Sequence, residues 1–241
     1  MQLQYNSLLL FIKTHPWIII IALFVLGLTC AFISFKMKPT RRKEIKKTAA
    51  GKGWKFDPEL HSPKSLFDRT GLDFFNKNVD PYAENFIYGI RKDHYEITYF
   101  DYICDEIINA AQNEEATYMT QFFSCALIEF DGGNIPSFSI EPETLLTREG
   151  EKLGTGQKDI DFDEFPEFSD NYYLYGSDEP AIRQFFNGNI ISIFEKHKGL
   201  HAYTSGKSML IVAQRIGTHK INDFIVNAQD VADVIGAEIK Y

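Results

Sequence analysis

Carboxylates alternate with apolar side chains along Asp159-Ile160-Asp161-Phe162-Asp163-Glu164-Phe165-Pro166-Glu167-Phe168. Two carboxyl groups held side by side can divide into a general acid and a general base. On an extended chain Asp161 and Asp163 point the same way, and Arg183 or His94 would be the charged partner of that pair. A hydrolase built on residues 159–170 is therefore one functional reading. Asp159, Asp161 and Asp163 also imitate positions one, three and five of a calcium loop. The glycine such a loop needs next is Glu164, however, and its twelfth place holds Asp170 rather than a bidentate Glu. The commoner use of the pattern is an extended arm whose Ile160, Phe162, Phe165 and Phe168 enter the core while the carboxylates face water. Asp159, Asp161, Asp163 and Arg183 are thus the functional candidates, with no catalytic role assigned.

Other look-alikes fail on spacing. Ser205-Gly206-Lys207-Ser208 resembles the end of a phosphate-binding loop, but His201 occupies the place of its first glycine and a strand follows instead of a helix. The glycines of 150–156 lack a strand-to-helix turn around them. His197 and His201 are four apart, yet one ends a helical pattern and the other opens a strand, so they do not share a face. No metal set and no cofactor set is read from the chain.

Position in the cell is more legible than chemistry. Trp17 to Phe35 is uncharged over nineteen residues, a helix of roughly 28 Å at about 1.5 Å per residue, enough to span a bilayer. Lys36, Lys38, Arg41, Arg42, Lys43, Lys46 and Lys47 follow at once, against Lys13 alone before it, so the positive-inside rule places the C-terminal side in the cytoplasm. Trp17 is an interfacial anchor and the basic residues suit anionic head groups. The chain divides into a short segment (1–16), a transmembrane helix (17–35), a basic stalk (36–48) and a soluble domain (49–241), the last as one body or as two lobes, 49–158 and 159–241. From Phe56 onward 15 basic face 32 acidic side chains, a formal charge of −17 that disfavours nucleic acid. Cys104 and Cys125 stay reduced in the cytoplasm and would be free to pair if the domain were exported.

The soluble part reads as α+β, antiparallel strands with C-terminal helices on one face. Residues 57–80 form loops and short helical turns. Phe86, Tyr88 and Ile90 share one face of a strand, and Tyr95, Ile97 and Tyr99 one face of its hairpin partner. Asp105 to Ala116 reads as a helical excursion, Thr117 to Phe130 as a strand, and Ser137 to Ile140 as another. The end runs strand, helix, strand, strand, helix: Tyr172 to Tyr175, Glu179 to Lys196, Leu200 to Thr204, Lys207 to Gln214 and Ile221 to Ile235.

A string of motifs accompanies this order: Gly53-Trp54, Leu66-Phe67, Asn85, Gly89, Phe100-Asp101-Tyr102, Pro136-x-Phe138-Ser139-Ile140-x-Pro142-Glu143, Asp159-Ile160-Asp161-Phe162, Pro166-Glu167-Phe168-Ser169, Tyr173, Gly176, Asp178-Glu179, Ile182-Arg183 and Phe186. Over roughly residues 50–235 it resembles a widespread family of uncharacterised bacterial single-pass membrane proteins with a cytoplasmic α+β domain. The resemblance implies a bacterial inner-membrane setting and lends no catalytic residue. Aromatics make up 15% of the chain, more than a core of this size requires. The expectation is a non-catalytic module that binds another protein through an acidic, aromatic-rich surface, with the tethered hydrolase as its rival.

Overall fold

Period-two alternation in the middle of the chain and 3.6-residue periodicity at its end yield one antiparallel sheet with helices packed on it. The computed structural model describes residues 17–76, 79–109, 117–143 and 157–239. Two units are distinct, residues 1–44 and a compact unit from Ile45 to Tyr241.

Helix α1, Trp17–Gly51, contains the uncharged run. Its described side chains are Trp17, Ile21, Leu23 to Thr29 and those from Arg41 onward. Among the described residues no helix is long and apolar enough to cross a membrane. The expectation of a spanning helix therefore continues to rest on the sequence. Leu23, Phe24, Val25, Leu26 and Leu28 are all exposed, and at about 100° per residue they look in every direction around the helix. From Ile45 the helix belongs to the folded unit, where Ile45 and Ala49, one turn apart, are buried in the core while Lys46 and Lys47 stay exposed.

The folded unit comprises β1 (Lys55–Asp57), α2 (Pro63–Thr70), a 3₁₀ turn (Asp73–Asn76), β2 (Val79–Lys92), β3 (Tyr95–Asn109), β4 (Thr117–Phe130), β5 (Ser139–Pro142), α3 (Pro166–Asn171), β6 (Tyr172–Tyr175), α4 (Glu179–Phe185), α5 (Gly188–Lys196), β7 (His201–Ser205), β8 (Ser208–Gln214), a second 3₁₀ turn (Thr218–Lys220) and α6 (Ile221–Glu238). The eight strands form one sheet in the order β1-β2-β3-β4-β8-β7-β5-β6, every pair antiparallel. The chain is α+β.

Alternate side chains on β8 show why both faces need cover. Met209 and Ile211 join one core with Tyr99, Ile128 and the residues of α3 to α6, whereas Leu210 and Val212 join a second with Phe86, Phe100, Tyr102, Cys125 and Leu127. Leu66 of α2 and Leu72 and Phe75 at the 3₁₀ turn close the second face. Helices thus cover both faces, not one as the sequence suggested.

Other expectations are corrected. Ile90 does not share a face with Phe86 and Tyr88, because the β2–β3 register slips between Ile87 and Ile90, where Gly89 has φ +80°. The stretch from Asp105 stays in β3 as far as Asn109, and residues 110–116 lie outside the described ones. The helix expected over Glu179 to Lys196 is two: Phe186 leaves helical geometry, and Asn187 caps α5 by accepting from the N–H groups of Asn189 and Ile190. Cys104 pairs across the ladder with Gln121, four residues from Cys125. That offset of about 13 Å along the strand rules out a disulfide in any compartment.

Candidate functional site

A last strand such as β6 exposes unpaired main-chain groups, and proteins cover such edges. Residues 157–162 do so here. Ile160 N–H donates to the Leu174 carbonyl (2.8 Å), and the Asp159 Oδ1 accepts from the N–H groups of Leu174 (2.9 Å) and Ile160 (2.8 Å). The Tyr173 hydroxyl donates to the Gln157 carbonyl. Asp159, only 8% exposed, thus uses its carboxylate where a ninth strand would have offered a carbonyl.

The remaining sequence candidates do not assemble an acid–base pair. Asp161 is exposed, and its main-chain carbonyl accepts from Arg183 Nη1 (2.6 Å). Arg183 also lies over the Phe162 ring (5.4 Å) and pairs with Glu179, whose other oxygen takes Lys158 (2.9 Å). Hydrogen bonds from Lys158 and then Arg183 hold the Glu179 carboxyl below its ordinary value. Arg183 is therefore the latch that fastens the arm to α4. Asp163 is exposed in the turn closed by Phe165 N–H on the Phe162 carbonyl (2.9 Å), so Asp161 and Asp163 do not share a strand face. His94 sits beside the β2–β3 turn, towards the other side of the sheet.

Sequence reading missed Glu141, whose Oε1 accepts the hydroxyls of Tyr203 (2.9 Å) and Tyr175 (3.1 Å) beside a 220 Å³ cavity lined by Ser137, Ser139 and both tyrosines. Burial, then the Glu141 charge, pushes Tyr175 up to about 12 and raises Tyr203 likewise. Both hydroxyls therefore stay protonated and committed to the carboxylate, a strut joining β5, β6 and β7.

What remains conspicuous is a ribbon. β4 runs for fourteen residues, but β8 pairs with it only from Phe123 to Glu129. Arg215 N–H donates to the Phe122 carbonyl (3.0 Å), so by alternation the main-chain groups of Thr120 and Tyr118 face the same side, where no strand among the described residues pairs with them. Tyr118, Met119 and Phe122 are exposed there, and they are three of the five exposed large apolar side chains described in the folded unit, with Leu60 and Val226. Most aromatics instead fill the two cores, among them Tyr99, Tyr102, Phe100, Phe130 and Phe194. The signal available in the sequence was length: a seven-residue β8 cannot cover a fourteen-residue neighbour. No protein-family model, curated protein or solved structure matches this chain.

Proposed function

We propose that this chain is a non-catalytic interaction module tethered to the bacterial inner membrane by α1, with the folded unit in the cytoplasm. The tether reading is supported by the uncharged run Trp17 to Phe35, the outward-looking Leu23 to Leu28, and the basic residues Lys36 to Lys47. The observation that carries the module reading is the edge of β4 from Thr117 to Gln121, which no described strand pairs on the β8 side, with Tyr118 and Met119 exposed on it and Phe122, under the Arg215 guanidinium (5.0 Å), at its end. An extended peptide adds to such an edge through main-chain hydrogen bonds and sets its specificity by flanking pockets. From Ile103 to Phe122 the sequence holds Asp105, Glu106, Glu114 and Glu115 and no Lys or Arg, which suits a basic partner.

Two experiments test the two halves. A fluorescent protein fused after Tyr241 is expected to be active and an alkaline phosphatase fused there inactive; strong phosphatase activity would reverse the orientation. A photo-crosslinking amino acid at Tyr118 of the full chain is expected to give a discrete adduct in cells, absent with the probe at exposed Val226 and lost on Phe122→Asp. Equal adducts from both positions, or none from Tyr118, would overturn the module reading.

A further inference from the structure

Asn187 is followed by Gly188, the one place in the chain where glycine follows asparagine. In such a pair the backbone nitrogen after the asparagine has no Cβ beside it and can reach the side-chain amide carbon. The pair opens α5, where glycine is a poor choice, since only proline forms helix less readily. Nothing in the local geometry calls for it. Gly188 is not in the left-handed region, and a Cβ added there would meet only the Phe165 ring, at 3.8 Å. A residue that breaks a local rule without a packing reason points to a chemical one.

The neighbours of Asn187 show what that chemistry would change. Its Oδ1 accepts from the N–H groups of Asn189 (2.9 Å) and Ile190 (3.2 Å), and its Nδ2 donates to Glu238 Oε2 (2.7 Å). Asn189 Nδ2 holds the other oxygen of Glu238 (2.9 Å). Two amides thus fasten the last residue of α6, a carboxylate standing where the helix C-terminus already carries partial negative charge. Ile239, the next residue, is buried in the core. The Gly188 N–H, as the first amide of α5, lies outside the helix's own hydrogen-bond ladder. Asn187 and Gly188 are exposed, and Asn187 and Glu238 line an open groove of about 520 Å³, so water reaches the pair.

We infer that Asn187–Gly188 is a self-modification site, a spontaneous deamidation that unfastens the end of α6. Once the first turn of α5 opens and ψ of Asn187 leaves 177°, the Gly188 nitrogen loses its proton and bonds to Asn187 Cγ. The Cγ–Nδ2 bond breaks, and the amide nitrogen departs with a proton as ammonia. Water then opens the succinimide at either carbonyl. One opening leaves aspartate, which sets a carboxylate against Glu238 where a donor had been. The other leaves isoaspartate, whose extra main-chain carbon takes the cap out of register with α5.

The purified full chain, held at mildly alkaline pH and followed by peptide mapping, should exchange the Asn187 amide for a carboxyl ahead of exposed Asn134, Asn171 and Asn189. Gly188→Ala, which the open space admits, should slow that conversion about tenfold by crowding the attacking nitrogen. Asn187→Asp, made directly, should lower the unfolding midpoint more in the parent than in a Glu238→Gln background, where the opposing charge is gone. Earlier conversion of Asn134, Asn171 or Asn189, or a rate indifferent to Gly188→Ala, would overturn the modification site. Equal effects of Asn187→Asp in the two backgrounds would overturn the unfastening of α6.

Discussion

Truncating Phe168 to alanine is expected to cost about 3–5 kcal/mol, the usual loss for a buried phenylalanine. Phe168 is fully buried, and its ring lies 5.3 Å from Tyr172, 5.8 Å from Phe186 and 6.0 Å from Phe162. Phe186 continues the cluster to Phe138 (4.9 Å) and Phe194 (6.0 Å), so α3, α4, α5 and the segment before β5 meet at one aromatic centre. The cavity is bounded by ordered elements that cannot collapse into it. Thermal unfolding of the full chain should show the midpoint for the folded unit lowered by roughly 10 °C. Phe162→Ala should cost less, because that ring is only partly buried. Equal effects at the two positions would mean that the aromatic centre does not organise this side of the sheet.

The difference between Phe162 and Phe168 marks how far local pattern carries. Both were legible as apolar anchors of the segment after Asp159. Their ranking depends on Tyr172, Phe186 and Phe194, which long-range packing brings in. The α+β class, the β2–β3 hairpin, the 117–130 strand and the final strand–strand–helix were readable because each rests on periodicity within a few residues. The β4–β8 pairing joins residues about eighty to ninety positions apart and leaves no local trace. Nor does the slip at Gly89, which sends Ile90 to the opposite face from Phe86, or the second core, which uses the very residues that alternate with the first. The ribbon was half legible: its apolar residues were visible, but their exposure follows only from where β8 ends.

Asp159 is the sequence candidate with the largest expected effect, and that effect falls on stability. Its Oδ1 accepts two main-chain N–H groups, those of Leu174 and Ile160. Asp159→Ala leaves the Leu174 N–H without that acceptor, whereas the Ile160 N–H keeps the Leu174 carbonyl, so a loss of about 1–3 kcal/mol is expected. Asp159→Asn keeps an acceptor oxygen in place and gives up only the assistance of the charge, and it should recover most of the loss, to within about 1 kcal/mol of the parent. Opening the β6 edge should also make Asp159→Ala prone to self-association, since Leu174 would present a free strand edge. The exposed pair behaves differently. Asp161→Asn with Asp163→Asn should change stability by less than about 0.5 kcal/mol, as surface substitutions away from special features do. Denaturant midpoints for the three variants check the order. If Asp159→Ala matched the parent while the double variant unfolded early, the arm would be held by the exposed carboxylates instead of by Asp159. Complementation of a deletion strain separates the functional readings with the same proteins. A folded double variant that restores the phenotype removes Asp161 and Asp163 from any catalytic role, whereas a folded one that fails to restore it would return the hydrolase reading to the arm.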